Sequence, residues 1–400
     1  MNILYLTMSR IDSLSERDIY TDLFRYFRDR GHQVWLVSPR ERSTALQPGM
    51  RDVDGVHILG VRTLNLQKTS VIEKGIGQVL VGYQYGSAIR KYLKDVSFDL
   101  ILYSTPPITL TRAIRLSKRW NPGAGTYLLL KDIFPQNAVD IGMLSKSGIK
   151  GLLYKYFRRK EKKLYRISDY IGCMSQANVD YVLAHNPEIP PQKVEIAPNS
   201  ILLQDPQPVD KGAVRARYGV PEDRPVFIYG GNLGKPQGIP FLLACLQANA
   251  DRQDCFFVVV GNGTEYPKLK KWYDEAHPAS VLLLERLPKA EYDAFVASCD
   301  VGLVFLDHRF TIPNFPSRLL SYLEQKMPVL CAVDPHTDMG RIAQENEFGY
   351  WCESDSVASF NRVLDKMIRS DRASMGEKGY QYMKTHYLVE HTYDAIVRHV

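Results

Sequence analysis

The chain lacks most features that mark a secreted, membrane-spanning or metal-binding protein. Its six cysteines (Cys173, Cys245, Cys255, Cys299, Cys331, Cys352) are scattered and never form C-x-x-C. Several lie in apolar strand-like runs, which fits reduced, buried thiols in a cytoplasmic protein rather than a metal cage or a disulfide frame. No apolar run approaches the roughly 20 residues needed to span a bilayer. The opening residues, Met1-Asn2-Ile3-Leu4-Tyr5-Leu6-Thr7, read as a strand and have neither the cationic leader nor the apolar core of a signal peptide. No G-x-x-x-x-G-K-[ST] occurs, and Thr7-Met8-Ser9-Arg10 stands where a G-x-G-x-x-G would follow the first strand. The pattern argues against a P-loop enzyme and a dinucleotide dehydrogenase.

What is present is an ordinary globular composition, 45% apolar and 24% charged, over 400 residues. That length suits two domains of roughly 200 residues each. Short apolar strands alternate with amphipathic helices. Ile3 to Leu6, Gln33 to Val37, Val56 to Val61, Leu100 to Tyr103, Tyr127 to Leu130, Tyr170 to Cys173 and Val194 to Ile196 read as strands. A proline-rich stretch between Ile201 and Pro225 marks the interdomain connection. A second series follows: Val226 to Tyr229, Phe256 to Val260, Val281 to Leu284, Val301 to Leu306, Val329 to Ala332 and Gly349 to Cys352. Repeated β–α units of this length predict two α/β, doubly wound, Rossmann-like domains facing a cleft. The expected boundaries are 1–200, 201–385, and a terminal helix over 386–400 that packs back toward the first domain.

Three strand ends in the second series carry glycine or small residues: Gly230-Gly231, Gly261-x-Gly263 and Pro316-Ser317. Glycine at such positions lets a ligand approach backbone N–H groups. Ser317 reads as the capping residue of a helix with Arg318 in its first turn, a plausible seat for phosphate. Asp52-Val53-Asp54 mimics a D-x-D metal motif, but it precedes Gly55 and another strand, so a turn is expected there.

These segments together resemble a known family. Gly231-Asn-Leu-Gly-Lys-Pro-Gln-Gly238, Gly261-Asn-Gly263-Thr-Glu265, Cys299-Asp300-Val-Gly-Leu-Val304 and Pro316-Ser-Arg318 with Pro328-Val329 are similar to the donor domain of GT-B glycosyltransferases of family 4. The bacterial branch that builds O-antigen and capsular polysaccharides is the nearest likeness, matched also by Lys131-Asp-Ile-Phe-Pro135, Gly142-Met-Leu144 and Pro198-Asn199. The resemblance implies transfer of a sugar from a nucleotide sugar, UDP-linked, with retention, to a lipid-linked saccharide acceptor. No metal and no other cofactor is expected, because fixed cations can stabilise the departing diphosphate. Arg318 and Lys235 are the candidate cations and Asp132 the candidate for orienting the acceptor hydroxyl or stabilising the oxocarbenium charge. Gly231, Asn232, Gln237, Gly261, Gly263, Arg286, Leu287, Ser317 and Ser321 are the expected donor contacts. Ser9, Arg10, Lys131 and Asn199 are the expected acceptor contacts. The chain departs from the family at the two spaced glutamates, where Pro313 and Ser321 stand, and at the usual Arg and Lys, replaced by Asn232 and Gln237. A hydrolysing-type UDP-N-acetylhexosamine 2-epimerase shares the two-domain plan, and the missing carboxylates also suit a catalytically degenerate partner subunit.

The net charge of +7 is local: Lys146 to Arg166 holds nine Lys or Arg against Glu161 alone, a charge of +8 that leaves −1 for the rest. Ile149, Leu152, Leu153, Tyr156, Phe157 and Leu164 share one face of this helix and are expected to pack on the first sheet. The cations then suit an anionic membrane surface, placing the protein at the inner face of the plasma membrane. No nucleic-acid motif accompanies the charge.

Overall fold

The structure is a computed structural model and describes residues 1–44, 46–65, 71–204 and 208–400, without the side chains of residues 71–76, 78 and 79. Asp205-Pro206-Gln207 of the expected connection lie outside the described residues, as does the side chain of Val79, which the sequence spaces with Leu80 and Tyr83 along a helix expected over 76–93. The chain divides into two units, one of residues 1–202 with 388–400 and one of residues 203–387.

The first unit is built on β1 (Asn2–Leu6), β2 (Gln33–Glu41), β3 (Gly49–Val53), β4 (Val56–Thr63), β5 (Leu100–Ser104), β6 (Gly125–Leu130), β7 (Tyr170–Cys173) and β8 (Val194–Ile196). Their order is β3-β4-β2-β1-β5-β6-β7-β8. All neighbours are parallel except β3 and β4. Strands such as Ile3–Leu6 and Leu100–Ser104 are buried along their length, as a sheet covered on both faces requires. The β3–β4 hairpin turns at Asp54 (φ 53°) and Gly55 (φ 76°), the left-handed pair of a tight two-residue loop. The D-x-D look-alike is therefore strand end and turn. The helix Ile19–Asp29 starts at a capping box formed by Asp18 and Thr21 and buries Leu23, Phe24 and Phe27 in the core. The last helix, Val389–Val397, belongs to this unit. It buries Val389, Ala395 and Ile396 with Phe24 and Phe27, and Thr392 donates to the Pro198 carbonyl at 2.9 Å.

The basic helix Gly148–Ile167 overturns one expectation. Only Gly151, Glu161, Leu164 and Tyr165 are buried. Ile149 is 88% and Leu152 68% exposed, and Leu153 and Tyr156 are exposed beside them. Half-buried Phe157 packs edge-on against Phe134. The helix docks through a second stripe, around Leu164 and the Glu161–Arg158 pair at 2.5 Å, which turns the first apolar stripe outward.

The second unit holds β9 (Val226–Asn232), β10 (Phe256–Asn262), β11 (Val281–Leu284), β12 (Val301–Phe305), β13 (Val329–Val333) and β14 (Gly349–Glu353). The order β11-β10-β9-β12-β13-β14 is all parallel. The chain winds outward from β9 in one direction and resumes at β12 in the other. The switch between β9 and β12 opens a crevice outside their carboxyl ends, where open α/β sheets bind ligands. In the first unit the same switch lies between β1 and β5.

Candidate functional site

In the second unit, sequence-distant residues meet at the β9–β12 switch. β9 ends in Gly230-Gly231-Asn232, and the helix Arg318–Glu324 follows β12. The Arg318 guanidinium lies over the Tyr229 ring, with Cζ 4.4 Å from the centroid. It also lies beside Gly231, where a Cβ would stand 3.6 Å from Nη2. Gly231 adopts φ 122°, a conformation that favours glycine. Tyr322 accepts a hydrogen bond from the Gly230 N–H at 3.2 Å, and Tyr292 lies so close over Gly230 that a Cβ there would meet its hydroxyl at 1.9 Å. Burial pushes the Tyr292 pKa up to about 12, so it remains a neutral hydroxyl. Arg318 Nη1 is buried without a hydrogen-bond partner. A permanently charged fork with a free donor, walled by aromatic rings beside exposed strand-end backbone, suits an oxyanion.

The other expected donor contacts fare differently. Ser317 is the N-cap residue by position, but its φ of −66° and ψ of −13° are helical, and its side chain makes no capping hydrogen bond. Side-chain capping needs the extended conformation at that residue, so the predicted capping serine is corrected. Ser321 donates to the Arg318 carbonyl at 2.8 Å. Packing alone already requires glycine at 261 and 263: a Cβ would meet the Gly231 carbonyl oxygen at 1.9 Å and the Leu233 backbone at 2.4 Å respectively. Asn232 and Gln237, at the positions of the family's cations, are joined to each other at 3.3 Å. Lys235 is exposed in the turn between them, and this turn is held against the end of β12 by Asp307 N–H donating to the Pro236 carbonyl at 3.1 Å. Arg286 is exposed and Leu287 half-buried in the loop after β11.

In the first unit, Asp132 follows β6 and is held from both sides. Thr105, at the end of β5, accepts from Asp132 N–H at 3.2 Å and donates to its carbonyl at 3.0 Å. The Asn137 amide nitrogen lies 2.7 Å from each carboxylate oxygen. Burial pushes the Asp132 carboxyl up to about 6, against the lowering pull of the Ile133 N–H and Asn137. Thr105 and Asn137 went unnoticed in the sequence as site residues. Thr105 lay in Ser104-Thr105-Pro106-Pro107, whose position at a strand end was its only signal. Lys131 is committed elsewhere: its ammonium donates to the Ala197 and Pro198 carbonyls at 3.1 Å, and burial pushes its pKa down to about 7. Asn199 is buried, with its amide 3.5 Å from Met174 Sδ. Lys131 and Asn199 thus tie the ends of β6, β7 and β8 together rather than project to solvent. Ser9 and Arg10 are exposed on the loop after β1, Arg10 paired with Asp12 at 2.6 Å. Among the described residues no group of three His, Cys, Asp or Glu is placed to hold a metal, and no helix is long and apolar enough to cross a membrane.

Known proteins match both units. Residues 19–204 match the model of Glycosyltransferase Family 4, and residues 210–382 that of Glycosyl transferases group 1. WbjE of Pseudomonas aeruginosa, named as a glycosyltransferase, is 25% identical over 311 residues, 77% of this chain and 75% of its own. WcaI of Escherichia coli, a glycosyl transferase assigned by name to colanic acid biosynthesis, is 22% identical over 254 residues, 62% of this chain and 60% of its own. Among solved structures, sucrose-phosphate synthase from Thermosynechococcus elongatus superposes with a TM-score of 0.77 at 13% identity, covering 100% of this chain and 98% of its own. An Anabaena protein in complex with UDP gives a TM-score of 0.68 at 14% identity, over 100% and 99%. At these identities the two structures attest the fold, and the sequence matches carry the family. The chain belongs to the GT-B glycosyltransferases of family 4.

Proposed function

We propose that this glycosyltransferase moves a sugar from a UDP-sugar, with retention at the anomeric carbon, to a lipid-linked saccharide acceptor in polysaccharide biosynthesis. The single observation that carries the reading is the unpartnered Nη1 of Arg318 beside Gly231 at the β9–β12 switch. As the bond from the anomeric carbon to the diphosphate oxygen breaks, negative charge gathers on the diphosphate. A guanidinium fixed before the reaction stabilises that charge without reorganisation. The acceptor oxygen then bonds to the same face of the anomeric carbon, and its proton passes to the departing diphosphate. Asp132, held by Thr105 and Asn137, serves as a hydrogen-bond acceptor that orients the acceptor hydroxyl. UDP as the carrier follows the sequence resemblance and the UDP-bound Anabaena neighbour, and polysaccharide assembly follows WcaI.

Incubation with UDP-sugars in the presence and absence of an undecaprenyl-diphosphate saccharide tests the reading. UDP released only with acceptor, and an axial or equatorial anomeric proton coupling in the product that matches the donor, is the expected result. Turnover without acceptor, with inversion at C2 of an N-acetylhexosamine, would instead identify the epimerase.

The lipid-linked acceptor finds support in the basic helix. Ile149, Leu152, Leu153 and Tyr156 recur at helical spacing on its exposed face, flanked by exposed Lys146, Lys150, Lys155, Arg159 and Lys163. Each cation near an anionic leaflet contributes about 1 kcal/mol, and each apolar side chain that enters the interface adds to it. Arg158 and Lys162 are occupied by Glu161 and Glu188. Flotation with anionic liposomes is therefore expected to fail after charge reversal of Lys150, Lys155, Arg159 and Lys163, or after Ile149→Ser with Leu152→Ser. Equal flotation of all forms contradicts membrane docking.

A further inference from the structure

The loop after β1 and the strands β2 and β3 bring three arginines to one carboxylate. Arg40 is 1% exposed; its Nη1 donates to Ser38 Oγ at 2.7 Å and to the Pro39 carbonyl at 2.9 Å, and its Nη2 stands 3.0 Å from Asp12. Arg10 pairs with the same Asp12 at 2.6 Å, and Arg51 Nη2 is 3.8 Å from it. Arg40 Nε, Arg51 Nε and Arg51 Nη2 are buried without a hydrogen-bond partner. The arrangement depends on glycine, since a Cβ at Gly60 of β4 would meet Arg40 Cγ at 2.9 Å. Three guanidiniums against one carboxylate leave two positive charges, and arginine does not shed its proton. Burial, with Arg51 and Arg10 nearby, lowers the Arg40 pKa despite Asp12. Arg40 is buried while Arg10 and Arg51 reach solvent, and the buried, unpartnered donors of Arg40 and Arg51 beside this excess of charge suit an anion that completes them.

We propose that Arg10, Arg40 and Arg51 form a subsite for an oxyanion of the acceptor, a phosphate or carboxylate remote from the reacting hydroxyl. The proposal rests on the transferase reading. In the sheet order, β2 lies three strand spacings from β6, the strand that leads into Asp132, or about 14 Å. An anion at the arginines and a hydroxyl at Asp132 are thus the two ends of a saccharide-length ligand. The planar forks suit either oxyanion.

The test is calorimetric titration of the full chain carrying Arg318→Ala, which removes the candidate diphosphate seat, with inorganic phosphate and separately with glucuronate. At least one anion is expected to bind at a single site, at about 10 mM or tighter. Arg10→Ala and Arg51→Ala, both partly exposed positions, should each weaken that binding at least tenfold, and Arg51→Lys should weaken it less than Arg51→Ala. Preference for phosphate assigns a phosphate-bearing acceptor, and preference for glucuronate assigns an acidic sugar. Binding of neither anion, or unchanged binding in both alanine variants, overturns the subsite. UDP titration of the unaltered chain scores the transferase reading separately: UDP binding without anion binding sinks only the subsite.

Discussion

Asp132→Asn separates the cost of the Asp132 carboxylate from its use. Its pKa stands at about 6 against an ordinary 3.8, because burial disfavours the ionised form. The difference amounts to about 3 kcal/mol. The folded chain therefore holds this proton more tightly than the unfolded chain. Stability from this group is greatest below about pH 4, falls as pH rises toward 6, and is flat above. Asparagine keeps the shape and removes that slope. It loses one of the charge-assisted hydrogen bonds from Asn137, worth about 1.5–3 kcal/mol, so the two effects nearly cancel at pH 7.5 and the variant folds. Activity follows the opposite sign. If the ionised carboxylate orients the acceptor hydroxyl, kcat/KM rises as pH increases through 6 and is at least about 100-fold lower in Asp132→Asn. Urea denaturation from pH 4 to 8 and kcat/KM from pH 5 to 8 measure both. A flat wild-type activity profile across pH 6, or a variant within threefold of wild type, refutes the assignment.

Lys131→Met should destabilise the first domain by about 1–3 kcal/mol near pH 8, through two carbonyls left without their donor. Because burial lowers the Lys131 pKa to about 7, wild-type stability also rises from pH 7 toward 10, and the denaturation midpoints of the variant should lack that rise. Gly261→Ala places a methyl 1.9 Å from the Gly231 carbonyl oxygen and must separate β10 from β9. A loss of about 1–3 kcal/mol in chemical denaturation, with weaker UDP binding, is expected; wild-type stability contradicts the packing role.

The fold was legible because its determinants are local. Apolar strands alternate with amphipathic helices, and Gly31, Gly55 and Gly231 stand where the backbone takes positive φ. Arg318 could be selected from its place after a buried strand, but its aromatic surroundings could not. Tyr322 stands four residues on in the same helix, but Tyr229 and Tyr292 reach Arg318 from β9 and from the helix Lys289–Ser298, and only strand order brings those two to it. The basic helix misled for a related reason. Periodicity identifies an apolar stripe without saying whether protein or another apolar phase covers it, and here the Leu164 stripe packs while the Ile149 stripe does not. The sequence marks Gly261 and Gly263 as a glycine turn at a strand end, but only the register Gly261↔Gly231 reveals that they also pack one strand end against the next. The arginine cluster needed the β3–β4 hairpin, because without it Arg51 has no reason to approach Arg40.

The most direct measurement of the central claim is UDP titration of wild type and Arg318→Ala, with GDP and ADP as controls. The side chain offers UDP a free Nη1, and its removal also forfeits the cation–π contact with Tyr229, about 0.5–2 kcal/mol, so the variant remains folded. Charge-assisted hydrogen bonds to a diphosphate are worth about 1.5–3 kcal/mol. The predicted result is UDP binding weakened about 10- to 100-fold in the variant, with intermediate binding in Arg318→Lys. UDP affinity unchanged within twofold would contradict the placement of the diphosphate on Arg318.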